Sequence, residues 1–484
     1  MTERRIGDER LLIGGDLRPA EGGRTFENID PTTEQPIGLA PDASVEDASA
    51  AIAAARAAFD RGIWRDDLDQ RIHCLEQFRA AIVRNSDELR EVLIQEAGCP
   101  SSFTKGMQLD GVPTFIDEAI EVARSYAWET HTAAYAGGPA GVLRREPRGV
   151  VAAITAFNYP LLLNIRKAAP ALAAGCTVVI KPSPETPWSA TVLGRIIAEE
   201  TDFPAGVLNV VTSADVEVAT LLTTDPRVDM VAFVGSSAVG KAIMAQGADT
   251  LKKVVLELGG KSAMVICDDA DVATAARTAA GVGLHAGQGC SRLTRFLVQR
   301  SRYDEALEAA VDAFSQIVVG DPRDEDVVQG PQISSRQQKR VLELIDGATQ
   351  EGARRLFGGG VPAALPRGYF VQPTLFADVD PDSTIAQTEV FGPVAVMIPF
   401  DTDDEAVAIA NNSRYGLSGA VVSGDVERAM GIARRMRTGE VAVNGARPGN
   451  NLPFGGWKDS GVGVDSGVMG FEEHLEAKAL GIPG

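Results

Sequence analysis

The sequence predicts an α/β fold of more than one domain. Short apolar runs rich in β-branched residues alternate with alanine-rich helical runs, the alternation restarts late in the chain, and 484 residues are too many for one small core. Residues 44–118 have helical periodicity throughout and form a scaffold: Val45 to Ile52 opens an alanine-rich run, and further helical periods follow. Residues 135–141 (Y-A-G-G-P-A-G) are a turn between two extended segments, a protruding hairpin of the kind that joins subunits. Residues 149–154, 177–180, 207–211, 230–234 and 254–258 follow as buried strands of a parallel sheet covered by helices. Residues 296–298, 317–319 and 394–398 continue the pattern into a second α/β unit, without internal repeat.

Composition excludes several function classes. Lys and Arg number 46 against 66 Asp and Glu, a formal charge of -20, and phosphate-backbone binding needs the opposite balance. Cys74, Cys99, Cys176, Cys267 and Cys290 are odd in number, widely spaced and without a C-x-x-C pair, which predicts neither a disulfide framework nor a zinc site and fits a reducing cytoplasm. His73, His131, His285 and His474 show no metal-ligand spacing. The charged start at Met1–Arg5 lacks an apolar leader core and no stretch reaches membrane-spanning length, so the expectation is an unexported cytoplasmic protein with no membrane or nucleic-acid partner.

Several segments hold chemically useful side chains. Cys290 lies in a glycine-rich stretch, H-A-G-Q-G-C-S at 285–291, downstream of Glu257 in L-E-L-G-G-K. A thiol and a carboxylate suggest attack followed by hydrolysis, although an isolated cysteine is more often a small apolar core residue. Asn158, in F-N-Y-P after the 149–154 run, is either an oxyanion donor or a turn former. Lys181 ends a strand before a proline-stiffened loop, at the sheet edge where α/β proteins hold nucleotides, or it is an ordinary exposed lysine. Gly235 and Ser236 form a turn into a helix whose N-terminal amides favour phosphate. Gly235, Gly240 and Lys241 match P-loop spacing, but Ala242 replaces the required hydroxyl. Glu389 and Phe391 in T-E-V-F-G-P, and Phe454 in N-L-P-F-G-G-W, offer a carboxylate and aromatics, or simple packing.

Taken together and in this order, these segments resemble the aldehyde dehydrogenase superfamily over nearly the whole chain, through F-E-E-H-L-E-A-K at 471–478. The resemblance implies a Rossmann-like cofactor-binding domain (1–124 and 147–258), an α/β catalytic domain (259–468) and a β-hairpin oligomerisation element (125–146 and 469–484). It implies Cys290 as nucleophile, Glu257 as general base and Asn158 in the oxyanion hole, with Lys181, Ser183, Gly235, Ser236, Glu389, Phe391 and Phe157 toward the cofactor. Relatives that pass the acyl group to coenzyme A typically lack the glutamate, so Glu257 implies a free acid product. Pro184 stands where the family commonly has a glutamate that binds the adenosine ribose, with Glu185 one place later; NAD is favoured and NADP remains possible. His285 replaces the more usual asparagine. Arg166, Arg447 and Phe454 fall at substrate-tunnel positions, where two arginines would suit an anionic tail on the aldehyde. A dimer or tetramer of identical chains is expected. A cofactor-free thioesterase would leave the dinucleotide segments unexplained, and a non-catalytic scaffold would leave Cys290 and Glu257 without a purpose.

Overall fold

The computed structural model describes residues 6–133, 136 and 138–482. Its first sheet has eight strands. Five are parallel, in the spatial order Leu208–Val210, Thr177–Lys181, Val150–Ile154, Met230–Val234, Lys253–Glu257. The chain runs outward in one direction through the first three and in the other through the last two, which is the Rossmann-like arrangement. Its crevice opens where the order reverses, beyond Ile154 and Val234. Strands Val150–Ile154, Thr177–Lys181 and Met230–Val234 are buried at every position, as a sheet covered on both faces requires. The hairpin Leu11–Ile13 and Asp16–Arg18 closes one edge, and Gly461–Val462, from far along the chain, pairs antiparallel with Leu256 and Glu257 at the other.

The second sheet has seven strands, in the order Arg354–Phe357, Thr374–Ala377, Val394–Phe400, Leu293–Gln299, Ser262–Ile266, Gly419–Val422, Ala442–Val443, all parallel except the first pair. The strand expected at 254–258 is followed closely by another. Lys253–Glu257 belongs to the first sheet and Ser262–Ile266 to the second, and Leu258 to Lys261 cross between them. A third, antiparallel sheet joins Glu129–Thr132, Gly141–Pro147 and Leu475–Gly481, so the expected hairpin forms with Thr132 opposite Gly141. Tyr135 and Gly137 of its turn lie outside the described residues. Residues 317–319 correct the sequence reading: they form no strand, and Val319 makes one isolated bridge to Gln329. This short run leaves the helix Tyr303–Ser315 directly, is followed by Gly320, and leaves Val318 exposed, so it lacks the length and the buried faces of a sheet strand.

Local chemistry sets the elements that carry the site. The helix Pro160–Ala174 starts on a proline, which has no amide hydrogen to leave unpaired, and ends at Gly175 with φ 99°. Glu96, wholly buried, anchors another start: its carboxylate accepts from the amides of Trp188 and Ser189, each at 2.8 Å, and from Asn28 Nδ2 at 3.0 Å. It thereby ties the helices Ser86–Ala97 and Trp188–Glu200 to the strand Thr25–Asp30. Glu96→Ala strands three buried donors and is expected to lower unfolding free energy by about 3 kcal/mol, with Glu96→Gln losing less, measured by urea unfolding.

Candidate active site

The Cys290 loop is held in a backbone conformation that side chains seldom adopt. His285 (φ 53°), Ala286 (φ 52°) and Gly287 (φ 72°) are consecutive left-handed residues, at a cost of about 1 kcal/mol or more for each of the two that carry a Cβ. Gln332 Nε2 donates to the Ala286 carbonyl at 2.9 Å, and Gln288 Oε1 accepts from the Ile333 amide at 2.9 Å, which offsets that strain. Three glycines let separate loops touch. A Cβ at residue 287 would stand 2.1 Å from the Gly392 carbonyl oxygen, one at 260 would stand 2.3 Å from that of Cys290, and one at 259 would stand 2.2 Å from Glu389 Oε2. The crossing between the sheets therefore sets Glu257, Cys290 and Glu389 around one space.

Four cysteines are buried and Cys290 alone is half-buried. Burial pushes its thiol up to about 12, with the charges of Glu257 and Glu389 adding and that of Arg166 opposing. Asn158 is buried and its Nδ2 donates to the Gln288 carbonyl at 3.2 Å, leaving a second amide hydrogen. The Asn158 backbone carbonyl accepts from Gln108 Nε2 and His285 Nε2, both at 2.8 Å. That acceptor requires the proton on Nε2, and burial pushes the imidazole down to about 4, so His285 is a neutral donor. This accounts for histidine at a left-handed position where the family more often has asparagine, since both tolerate that conformation.

Glu257 ends its strand fully sequestered, and neither carboxylate oxygen has a hydrogen-bond partner among the described residues. Burial pushes its pKa well above the usual carboxylate range; Asp465 adds to the shift, and Lys167 and Arg166 oppose it. Lys167 Nζ contacts both Asp465 oxygens at 2.7 Å.

At the crevice of the first sheet, Lys181 is buried, donates to the carbonyls of Ser213 (3.1 Å) and Pro182 (3.3 Å), and is pushed down to about 8 by burial. One of its hydrogens is left over. Ser183 Oγ accepts from the Glu185 amide. The Gly235 amide donates to the Glu257 carbonyl, and the Ser236 hydroxyl caps the helix Ser237–Gly247 by accepting from Val239. Lys241 reaches Asp459 at 2.9 Å, which uses the charge that the P-loop spacing would have aimed at phosphate. Glu389 Oε1 accepts from the Gly260 amide at 2.9 Å, and burial pushes this carboxyl up to about 7. Phe391, left-handed at φ 54°, meets Phe157 edge-on at 5.7 Å.

Known proteins share this architecture and sequence. The model of the aldehyde dehydrogenase family matches residues 18–480. The chain belongs to the aldehyde dehydrogenase family. It is 42% identical to a 3-succinoylsemialdehyde-pyridine dehydrogenase from Pseudomonas sp over 98% of both chains, and 39% identical to the geranial dehydrogenase of Castellaniella defragrans over 98% of this chain and 99% of that one. Among solved structures, an aldehyde dehydrogenase of Mycobacterium tuberculosis complexed with NAD+ superposes with TM-score 0.95 at 40% identity, covering 99% of each chain. Betaine aldehyde dehydrogenase of Staphylococcus aureus, also with NAD+, gives 0.94 at 34% identity over 98% of this chain and 94% of that one.

In this aldehyde dehydrogenase, the tunnel positions named from sequence divide. Arg166 lies 4.3 Å over the Phe454 ring, donates to Ser466 at 3.2 Å and faces Asp465 at 3.5 Å. Arg447 is exposed in the loop after Ala442–Val443 and forms no ion pair or hydrogen bond with that group. Gln108, Gln332, Lys167 and Asp465 escaped the sequence reading, because lone amides and charges far apart in the chain carry no local pattern. Gly260→Ala, which forces the Cys290 carbonyl away, is expected to lower kcat at least about 100-fold while thermal unfolding stays cooperative, as a small displacement of reacting groups does. Steady-state kinetics beside a melting curve check this.

Proposed function

We propose that the protein oxidises an aldehyde to the free carboxylic acid, with NAD as the reduced partner. The observation that carries this reading is the convergence of the one half-buried cysteine, an amide donor and a sequestered carboxylate lacking any hydrogen bond: Cys290, Asn158 and Glu257. The Cys290 sulfur, once deprotonated, attacks the carbonyl carbon, and the free Asn158 amide hydrogen with the Cys290 backbone amide stabilises the resulting oxyanion. NAD, when bound, supplies a nicotinamide that accepts the hydrogen with both bonding electrons. The thioester left on Cys290 is attacked by water, whose proton Glu257 takes; collapse returns the thiolate and releases the acid. A base with no competing donor and a raised pKa suits that role at neutral pH.

The residues present fit a dinucleotide. Lys181 keeps an unused hydrogen at the strand edge for ribose hydroxyls, the helix capped by Ser236 presents amides to a pyrophosphate, and the Glu389 oxygen that Gly260 leaves free suits the second ribose. Phe157 and Phe391 flank that end, with Ser183 and Gly235 beside the adenosine half. Glu185 is half-buried, 3.4 Å from Arg336, and its charge disfavours a 2'-phosphate, so NAD is preferred over NADP. The NAD+ complexes of the relatives support this. Residues 1–124 and 147–258 then serve the cofactor and 259–468 the chemistry. Residues 125–146 and 469–484 serve self-association into a dimer or tetramer, through the exposed strand Glu129–Thr132 at a sheet edge. Five free cysteines suit the cytoplasm.

Mixed with NAD and an aldehyde panel, the wild-type protein should generate reduced-nicotinamide absorbance and free acid, faster than with NADP, and Cys290→Ala should bind NAD without turnover. Glu257→Gln should release one burst of NADH per site and stall; steady turnover at the wild-type rate would remove Glu257 from its role. The reactive forms of Cys290 and Glu257 are the deprotonated ones and burial raises both pKa values, so kcat/KM should climb as pH rises from 7 into the alkaline range. A pH-rate profile checks this sign.

A further inference from the structure

Arg292 stands two residues after Cys290, and sequence reading passed over it. Its Nε is shut from solvent without a hydrogen-bond partner, and its guanidinium enters none of the ion pairs among the described residues. The other arginines with an unpaired Nε, Arg18, Arg56 and Arg166, each face a carboxylate, and two further arginines withdrawn from solvent have their donors taken up. Arg71 donates to the carbonyls of Ala173, Trp64 and Arg65, and Arg295 to those of Lys261, Ile409 and Ala410. The Arg292 side chain folds back over Gly289, where a Cβ would stand 3.0 Å from its Cγ and 3.3 Å from its Nε. Gly289 is not in the left-handed region, so the backbone does not require glycine there, and its missing side chain makes room for the arginine.

The surroundings point toward a ligand. Tyr159, next in sequence to Asn158, packs 5.8 Å from Phe103 and 6.0 Å from His285, and Phe103 lies 5.9 Å from His285, so three rings wall the space beside Cys290. Burial pushes the Tyr159 phenol up; the Arg292 charge opposes this, and Cys290 acts on the same hydroxyl. A half-buried guanidinium beside Tyr159, with no carboxylate in ion-pair reach among the described residues, is open to an anionic ligand, and its planar fork matches a carboxylate.

We propose that Arg292, with the Tyr159 hydroxyl, determines specificity by binding a carboxylate at the far end of a short aldehyde, which makes semialdehydes the substrate class. This rests on the reading of Cys290 as the nucleophile. Arg166 is the poorer anchor because Asp465 already faces it, and Arg447 because it stays in solvent.

The test compares kcat/KM for four- and five-carbon semialdehydes with that for their methyl esters. Wild type should prefer the acids at least tenfold. Arg292→Gln should lower that preference at least tenfold through KM of the acid, and Arg292→Lys should recover part of it. Gly289→Val, which keeps the charge but displaces the side chain, should also lower the ratio. A wild-type ratio near one, or a ratio unchanged in Arg292→Gln, overturns the proposal and leaves the oxidation itself standing. NADH formation from neither aldehyde type, with Cys290→Ala indistinguishable from wild type, overturns both readings at once.

Discussion

The crossing at Leu258 to Lys261 is the constraint on which the rest depends. The chain leaves the Rossmann-like sheet at Glu257 and enters the second sheet at Ser262, and between them Gly259 and Gly260 pass so close to the Glu389 carboxylate and the Cys290 carbonyl that no Cβ fits. One short segment therefore sets the spacing of Glu257, the Cys290 loop and Glu389. The Gly260 amide also donates to Glu389, so the close approach is bonded as well as steric. Rigid strands at both ends of the segment limit how far it can relax.

A second property follows from that closeness. Glu257, Glu389, Lys181 and Cys290 are all drawn away from water, and burial is the largest influence on each, pushing the carboxyls and the thiol up and the ammonium down. Folding stability gains nothing from such groups. Under the proposed mechanism, which generates a thiolate, holds an oxyanion and deprotonates water, such a site gains from having few competing partners, and the backbone strain at His285 and Ala286 lies in the same loop. The stabilisation that holds this arrangement comes from elsewhere, for example from the Gln288 and Gln332 hydrogen bonds beneath the loop and from Glu96 behind the crevice.

Legibility in the sequence followed the range of the interactions. The parallel strands were readable because each is a short apolar run between breakers, and Met230–Val234 matches its run residue for residue. The strand at Ser262–Ile266 was not named from the sequence, because two glycines and a lysine after the 254–258 run do not say whether a new strand begins beyond them. Residues 317–319 misled because β-branched composition does not provide a neighbouring strand. His285 had no account from sequence, since its left-handed backbone and its bond to the Asn158 carbonyl exist only once residues 158 and 285 meet.

By itself the sequence determined the fold class, the family resemblance and the short list of reactive side chains, because these rest on periodicity and on motifs whose members are neighbours in the chain. Only the tertiary structure decided which charges are spent. Arg166 is occupied by Asp465 and Ser466, Lys241 by Asp459, and Arg292 has no carboxylate partner among the described residues. The physical reason is that an ion pair depends on a distance of a few ångströms between residues that can lie hundreds of positions apart, and local sequence carries no record of that distance.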